Sequence, residues 1–277
     1  MSDFKDAIKL GLSPSASVEW WDCREVEETN YMLNQGRRMK AEYISHMGDD
    51  LTVVNAARVS FDKESMLEQW DASDVINTPY PHTARISLKD KGLINYLARH
   101  GHWTPFSHPQ ITIRYTVPIF VARQENKHIV GFTRNEVSRR YVDDTPEFYV
   151  PKVWRSRPEG SVKQGSGSSF VSECKDTYHH NGGKEYIDTV VYQMQHHCHA
   201  VYSDMIKAGV APEQARMVLP QSMYTSYYIT GSLAAYARMV KQRSDPHAQV
   251  EIQELAAMVD EVIRPLYPVS WEALTND

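Results

Sequence analysis

Apolar positions in this chain switch between two periods, and the switches mark its elements. From Ser87 to His100 the apolar positions Leu88, Leu93, Ile94, Leu97 and Ala98 fall at helical intervals, which predicts a helix. From Gln110 to Val117 every second residue is apolar (Ile111, Ile113, Tyr115, Val117), which predicts a strand. Pro118 then suits the first turn of a helix running to about His128. Residues 135–141 read as loop or strand. A long helix is expected from about Lys184 to Ala208, closed by Gly209, and a short one over Pro212–Leu219. Met223–Thr230 is aromatic and β-prone, and Ser232–Arg243 reads as a helix capped by Ser232. Asp245-Pro246 reads as the cap and first residue of a last helix with the stripe Ile252, Leu255, Ala256, Val259, Val262 and Ile263.

Other stretches are less periodic. Asp50–Phe61 (DLTVVNAARVSF) opens on a short apolar run, expected as a buried strand. Residues 62–85 are polar and turn-rich, 102–108 form a loop, and 151–183, rich in Gly, Ser, Lys and Arg, read as a flexible surface loop or lid. The sum is an α+β protein: a mixed sheet with long helices and a helix-rich second half. Residues 1–42 read as an N-terminal extension, 43–268 as the main domain and 269–277 as a C-terminal tail.

Composition narrows the class. The chain has 277 residues, 42% hydrophobic and 23% charged, ordinary for a soluble globular protein. No apolar run approaches the roughly 18–20 residues of a membrane span. The N-terminus lacks the long apolar region of a secretory signal. Cys23, Cys174 and Cys198 are scattered and odd in number, which fits a reducing cytoplasm and no disulfide framework. A net charge of −5 argues against general nucleic-acid binding.

Against that acidic background, residues 123–141 gather Arg123, Lys127, Arg134, Arg139 and Arg140, with His128, Asn135, Glu136 and Ser138 among them. Arginine forks match phosphate and carboxylate oxygens, so a small anionic ligand with polar edges, such as a nucleotide, would suit this cluster. A bare charge run is more often a solvated face. Within a helix to His128, Gln124 and His128 are neighbours four residues apart, as are Arg123 and Lys127. Arg216, in the short apolar helix, needs an acceptor if buried, be it ligand or carboxylate. Arg238 and Arg243 are five residues apart, so they are expected to point in different directions, toward two ligands or with one on the surface. HGHWTPFSH (100–108) lacks the close pairing and the Cys or carboxylate partners of a usual zinc or iron site, and His196-His197-Cys198-His199 lie mid-helix on different faces. No metal is expected. The phosphate-loop, dinucleotide and nucleophile-elbow signatures are missing.

Taken together, HGHWTPFSH, PIFVARQ, NEVSRRY, EQARMVLP and DPHAQVEIQ resemble, in order, segments of the flavin-dependent thymidylate synthases. The resemblance runs from about Ser45 to the last helix, roughly four-fifths of the chain. It departs where the family has Arg-His-Arg, here Lys127-His128-Ile129 with one extra residue before Asn135. It departs again at Ser232-Leu233-Ala234, where the family has Asn-x-Arg, and at Arg238, where it has Asn. All three departures fall on flavin-holding positions.

The resemblance implies methylation of dUMP at C5, with methylenetetrahydrofolate as carbon donor and NADPH-reduced FAD as hydride donor. It implies dUMP contacts from Gln124, Glu136, Ser138, Arg139, Arg140 and Arg216, and a catalytic Arg243 beside the pyrimidine ring. It places FAD against His102, Thr104, Lys127, His128, Ser232 and Arg238. It further implies a cytoplasmic homotetramer with sites shared between subunits. Two other readings compete: a non-catalytic nucleotide-binding relative that has lost flavin chemistry, and a binder of RNA or single strands through residues 123–140.

Overall fold

The computed structural model describes residues 39–69, 84–142, 144–159, 165–175 and 183–276. Residues 1–38, most of the expected extension, lie outside the described residues. The centre is a four-stranded sheet in the order β1-β4-β8-β5, built from β1 (Lys40–Met47), β4 (Gln110–Pro118), β5 (Phe132–Glu136) and β8 (Tyr224–Ser232). All its pairings are antiparallel. Alternation makes β4 two-faced. Ile111, Ile113, Tyr115 and Val117 are fully buried on one side. On the other, Thr112 meets Thr230 and Thr116 meets Ser226 through hydroxyls, at 2.9 and 2.8 Å. Two short pairs, β2 (Glu68–Gln69) with β3 (Ala84–Arg85) and β6 (Glu173–Lys175) with β7 (Lys184–Tyr186), lie outside this sheet.

The helices are α1 (Asp50–Arg58), α2 (Leu88–Arg99), α3 (Ile119–Glu125), α4 (Ile187–Lys207), α5 (Pro212–Ala215), α6 (Leu233–Arg243), α7 (Val250–Ile263) and α8 (Pro268–Thr275). Ser232 caps α6 as expected, accepting from the Ala235 N–H at 3.2 Å. Gly209 closes α4 with φ +85°.

Four expectations differ from the structure. Asp50–Phe61 opens as helix α1 and not as a strand. Asp49 accepts the Thr52 N–H at 2.9 Å while the Thr52 hydroxyl takes the Asp49 N–H at 3.1 Å. That reciprocal cap nucleates a helix that buries Val53 and Val54, and it outweighs the β-branched run. The helix expected at Asp245-Pro246 starts at Val250, because Asp245 Oδ1 instead accepts the His247 N–H at 2.7 Å and makes a turn. The described part of 151–183 is tied down by backbone pairing: Ser156 to Ser169, Gly167 to Ser156 and Val171 to Trp154, at 2.8–2.9 Å. A Cβ on Gly167 would stand 2.2 Å from Ser156 Oγ, so the close approach there requires glycine. Finally, the stretch set apart as a tail contains most of α8. Its N-terminus is capped by Asp50, which accepts the Val269 and Ser270 N–H groups at 3.0 and 2.8 Å. Its Trp271 is fully buried in the core.

Candidate active site

The site is assembled where α3, the turn after it, β5 and the end of α6 meet. Glu125, the last residue of α3, is fully buried. Such a carboxylate needs a partner. Arg134, from β5, supplies a two-pronged contact at 3.0 and 2.6 Å, and Tyr227 of β8 donates its hydroxyl at 3.1 Å. Burial, and then Glu125, pushes the Tyr227 phenol well above its ordinary value, so it stays a donor. Arg134 reaches on to the His128 carbonyl at 2.5 Å.

The turn 128–131 is held by its carbonyls. Besides His128, the Ile129 oxygen accepts the Phe132 N–H at 3.2 Å, Val130 accepts Arg238 Nη2 at 2.6 Å and Gly131 accepts the Ser232 N–H at 3.2 Å. Gly131 has φ +85°, and a Cβ there would stand 2.8 Å from that of Ala235. Among the described residues, the N–H groups of Ile129, Val130 and Gly131 have no acceptor. Consecutive N–H groups beside a left-handed glycine suit an anion, and the exposed Lys127 and Arg238 flank them.

His128 is buried, and its Nε2 accepts Arg243 Nε at 2.8 Å. Burial, then the guanidinium groups of Arg243, Arg238 and Arg134, pushes the ring down to about 4, so it is neutral near pH 7. Arg243 also donates from Nη2 to the Gln124 carbonyl at 2.9 Å. Arg238 and Arg243 were expected to part company; both reach back to the single segment 124–130, from successive turns of α6.

The remaining expected residues fall into separate places. Glu136, at the end of β5, accepts the Thr225 hydroxyl at 2.6 Å. Ser138 Oγ accepts Arg140 Nε at 3.1 Å, and Arg140 stacks over Tyr141. Arg139 is engaged by its own loop, 2.8 Å from Asp144 Oδ1. Arg216 is exposed and, among the described residues, donates only to the Glu213 carbonyl of its own turn, at 3.3 Å. His102 and Thr104 are exposed on the loop before Phe106, beside an exposed Trp103. Within one chain, then, Gln124, His128, Ser232, Arg238 and Arg243 come together with the turn that holds Lys127. Arg216 and the His102–Thr104 loop share no hydrogen bond with them.

Besides Glu125, three site-adjacent residues carry no clear mark in the sequence. Arg155 Nη2 contacts both oxygens of Glu251, at 2.8 and 2.9 Å, and Gln249 bridges Glu251 to Gln124. Gln249 and Glu251 stand inside DPHAQVEIQ, whose ordered match was the available signal. Arg155 sits in a polar loop with none.

Residues 42–269 match the family model described as thymidylate synthase complementing protein, Thy1. The flavin-dependent thymidylate synthase of Thermotoga neapolitana is 32% identical over 84% of this chain and 88% of its own. That of Kosmotoga olearia is 35% identical over 83% and 87%. Among solved structures, the UMP/dUMP methylase PolB from Streptomyces cacaoi, bound with 5-Br dUMP, superposes with a TM-score of 0.65 at 27% identity, covering 86% of this chain and 95% of that one. The chain therefore belongs to the flavin-dependent thymidylate synthase family.

Proposed function

We propose that this chain makes dTMP by reductive methylation of dUMP at C5, taking the carbon from methylenetetrahydrofolate. The observation that carries the reading is the fixed Arg243 guanidinium, held by the neutral His128 ring and the Gln124 carbonyl. The pyrimidine C5 is a poor nucleophile. A guanidinium held beside the ring stabilises negative charge as it develops there, and being pre-oriented it needs no reorganisation at the moment of reaction. Gln124, Glu136, Ser138, Arg139, Arg140 and Arg216 form the nucleotide pocket in this reading, with Arg140 and Arg216 taking the phosphate. Cys198 lies against Met194 on α4, and no step of this reading calls on a thiolate.

The turn at 128–131 fits a phosphate-bearing cofactor, since it offers three N–H groups without acceptors among the described residues beside Lys127 and Arg238. Lys127, His128, Ser232, Arg238, His102 and Thr104 would hold FAD. When bound and reduced by NADPH, FAD supplies the hydride that completes the methyl group. Ser232 already caps α6, so its part is to fix the Gly131 turn. The domain expected over 43–268 extends through α8 in this reading, the protein works as a homotetramer with shared sites, and it acts in the cytoplasm. Among the described residues no helix is long and apolar enough to cross a membrane.

The test is the visible spectrum of protein reconstituted with FAD, desalted, and mixed anaerobically with NADPH and dUMP. Retained flavin that bleaches, followed by dTMP once the folate is added, is expected. A protein that binds dUMP yet retains no flavin would instead be a non-catalytic relative.

A further inference from the structure

A hydrogen-bond relay stands behind Gln124, and its direction is fixed from one end. Glu251, in the first turn of α7, is only 3% exposed. Burial would raise its carboxyl, but hydrogen bonds from Arg155, its own backbone and Gln249 outweigh that and hold it below the ordinary value. It is therefore an ionised carboxylate, which accepts hydrogen bonds and donates none. Arg155 meets both of its oxygens, at 2.8 and 2.9 Å. Gln249 must then turn its NH₂ toward Glu251 Oε2, at 2.8 Å, which leaves its carbonyl oxygen facing Gln124. Gln124 in turn must offer its own NH₂ to that oxygen, at 2.5 Å. An isolated side-chain amide has two orientations that differ little in shape. Here the charge at the end of the relay selects one at each step.

We propose that Glu251 and Gln249 are positioning residues that fix which way the Gln124 amide faces, leaving its carbonyl oxygen and one N–H for the nucleotide. The proposal rests on the dUMP reading of this site. It also explains how a polar loop with no recognisable motif reaches the site: Arg155 is the cation that holds Glu251 ionised, and its segment is pinned at Trp154, whose Nε1 donates to Asp188 at 2.8 Å. The Gln124 backbone carbonyl carries Arg243 as well. A misoriented Gln124 side chain would therefore disturb nucleotide binding while the backbone contact that holds Arg243 survived.

The experiment is calorimetric titration of the FAD-reconstituted full chain with dUMP, for wild type, Gln249→Met, Gln124→Met and the double variant. Gln249→Met keeps the side-chain volume and leaves the Arg155–Glu251 pair untouched. Each single change is expected to raise the dUMP Kd roughly 3- to 10-fold, the scale of one lost hydrogen bond. The double variant is expected to bind no worse than the weaker single one, because both changes cut the same relay. Additive losses, or a Gln249→Met protein that binds like wild type, would overturn the relay while the dUMP reading stood. Wild type that failed to bind dUMP would overturn both. Gln249→Ala is the second variant where Met does not fold, with the same expected non-additivity.

Discussion

His128 illustrates how one residue joins stability to the site. Its ring is buried among Arg243, Arg238 and Arg134, and it accepts from Arg243 Nε, so only the neutral form fits. The folded pKa of about 4 lies below the ordinary 6.5. Between those values the unfolded chain binds a proton that the folded chain refuses. The stability the neutral ring contributes is thus complete above pH 6.5 and is lost as pH falls toward about 4. His128→Gln keeps an acceptor without a titrating nitrogen. Melting temperatures measured from about pH 7.5 down to about 4.5 are expected to fall more steeply for wild type than for this variant. Parallel curves would remove His128 from the acid sensitivity of the fold.

At the scale of elements, legibility followed the clarity of the local signal. The period-two run of β4 and the helical stripe of α2 are plain in the sequence, because burial on one face imposes those periods directly. Ser232 is legible as a cap because its hydroxyl takes the Ala235 N–H at the start of α6. Thr52-Val53-Val54 misled, since β-branched residues favour strands until a cap fixes the backbone. Asp245 misled in the opposite sense: a good capping residue was used for a turn. The family was legible in the ordered segments that carry the expected site residues. The partners that orient them, Glu125, Gln249 and Glu251 among them, depend on contacts across many residues that no spacing reveals. This contrast gives an element-level test. Asp49→Ala should cost about 1 kcal/mol of unfolding free energy with an unchanged denaturant slope, the usual loss of a capping residue. Asp245→Ala should produce a smaller change, because no helix begins there. The reverse ranking in urea titrations would contradict the observed helix starts.

For the whole molecule, the question is how Arg216 joins the residues around Arg243, with which it shares no hydrogen bond among the described residues. Arg243 is held with His128 and Gln124, while Arg216 stands exposed on its own turn. The segments that carry these residues also expose large apolar side chains: Ile129 and Val130 at 73%, Tyr141 at 79% and Met217 at 76%. Apolar surface beside charged binding residues is what an interface between copies would cover. The proposed site shared between subunits would account for both observations together, and complementation tests it. Arg243→Ala alone should abolish dTMP formation, and Arg216→Ala alone should weaken dUMP binding through its phosphate, leaving affinity for deoxyuridine nearly unchanged. Co-assembled at equal amounts, the two variants should recover activity, because roughly a quarter of randomly formed sites would draw an intact Arg243 from one chain and an intact Arg216 from the other. Activity that never exceeded the average of the two separate variants would place both arginines of each site in the same chain.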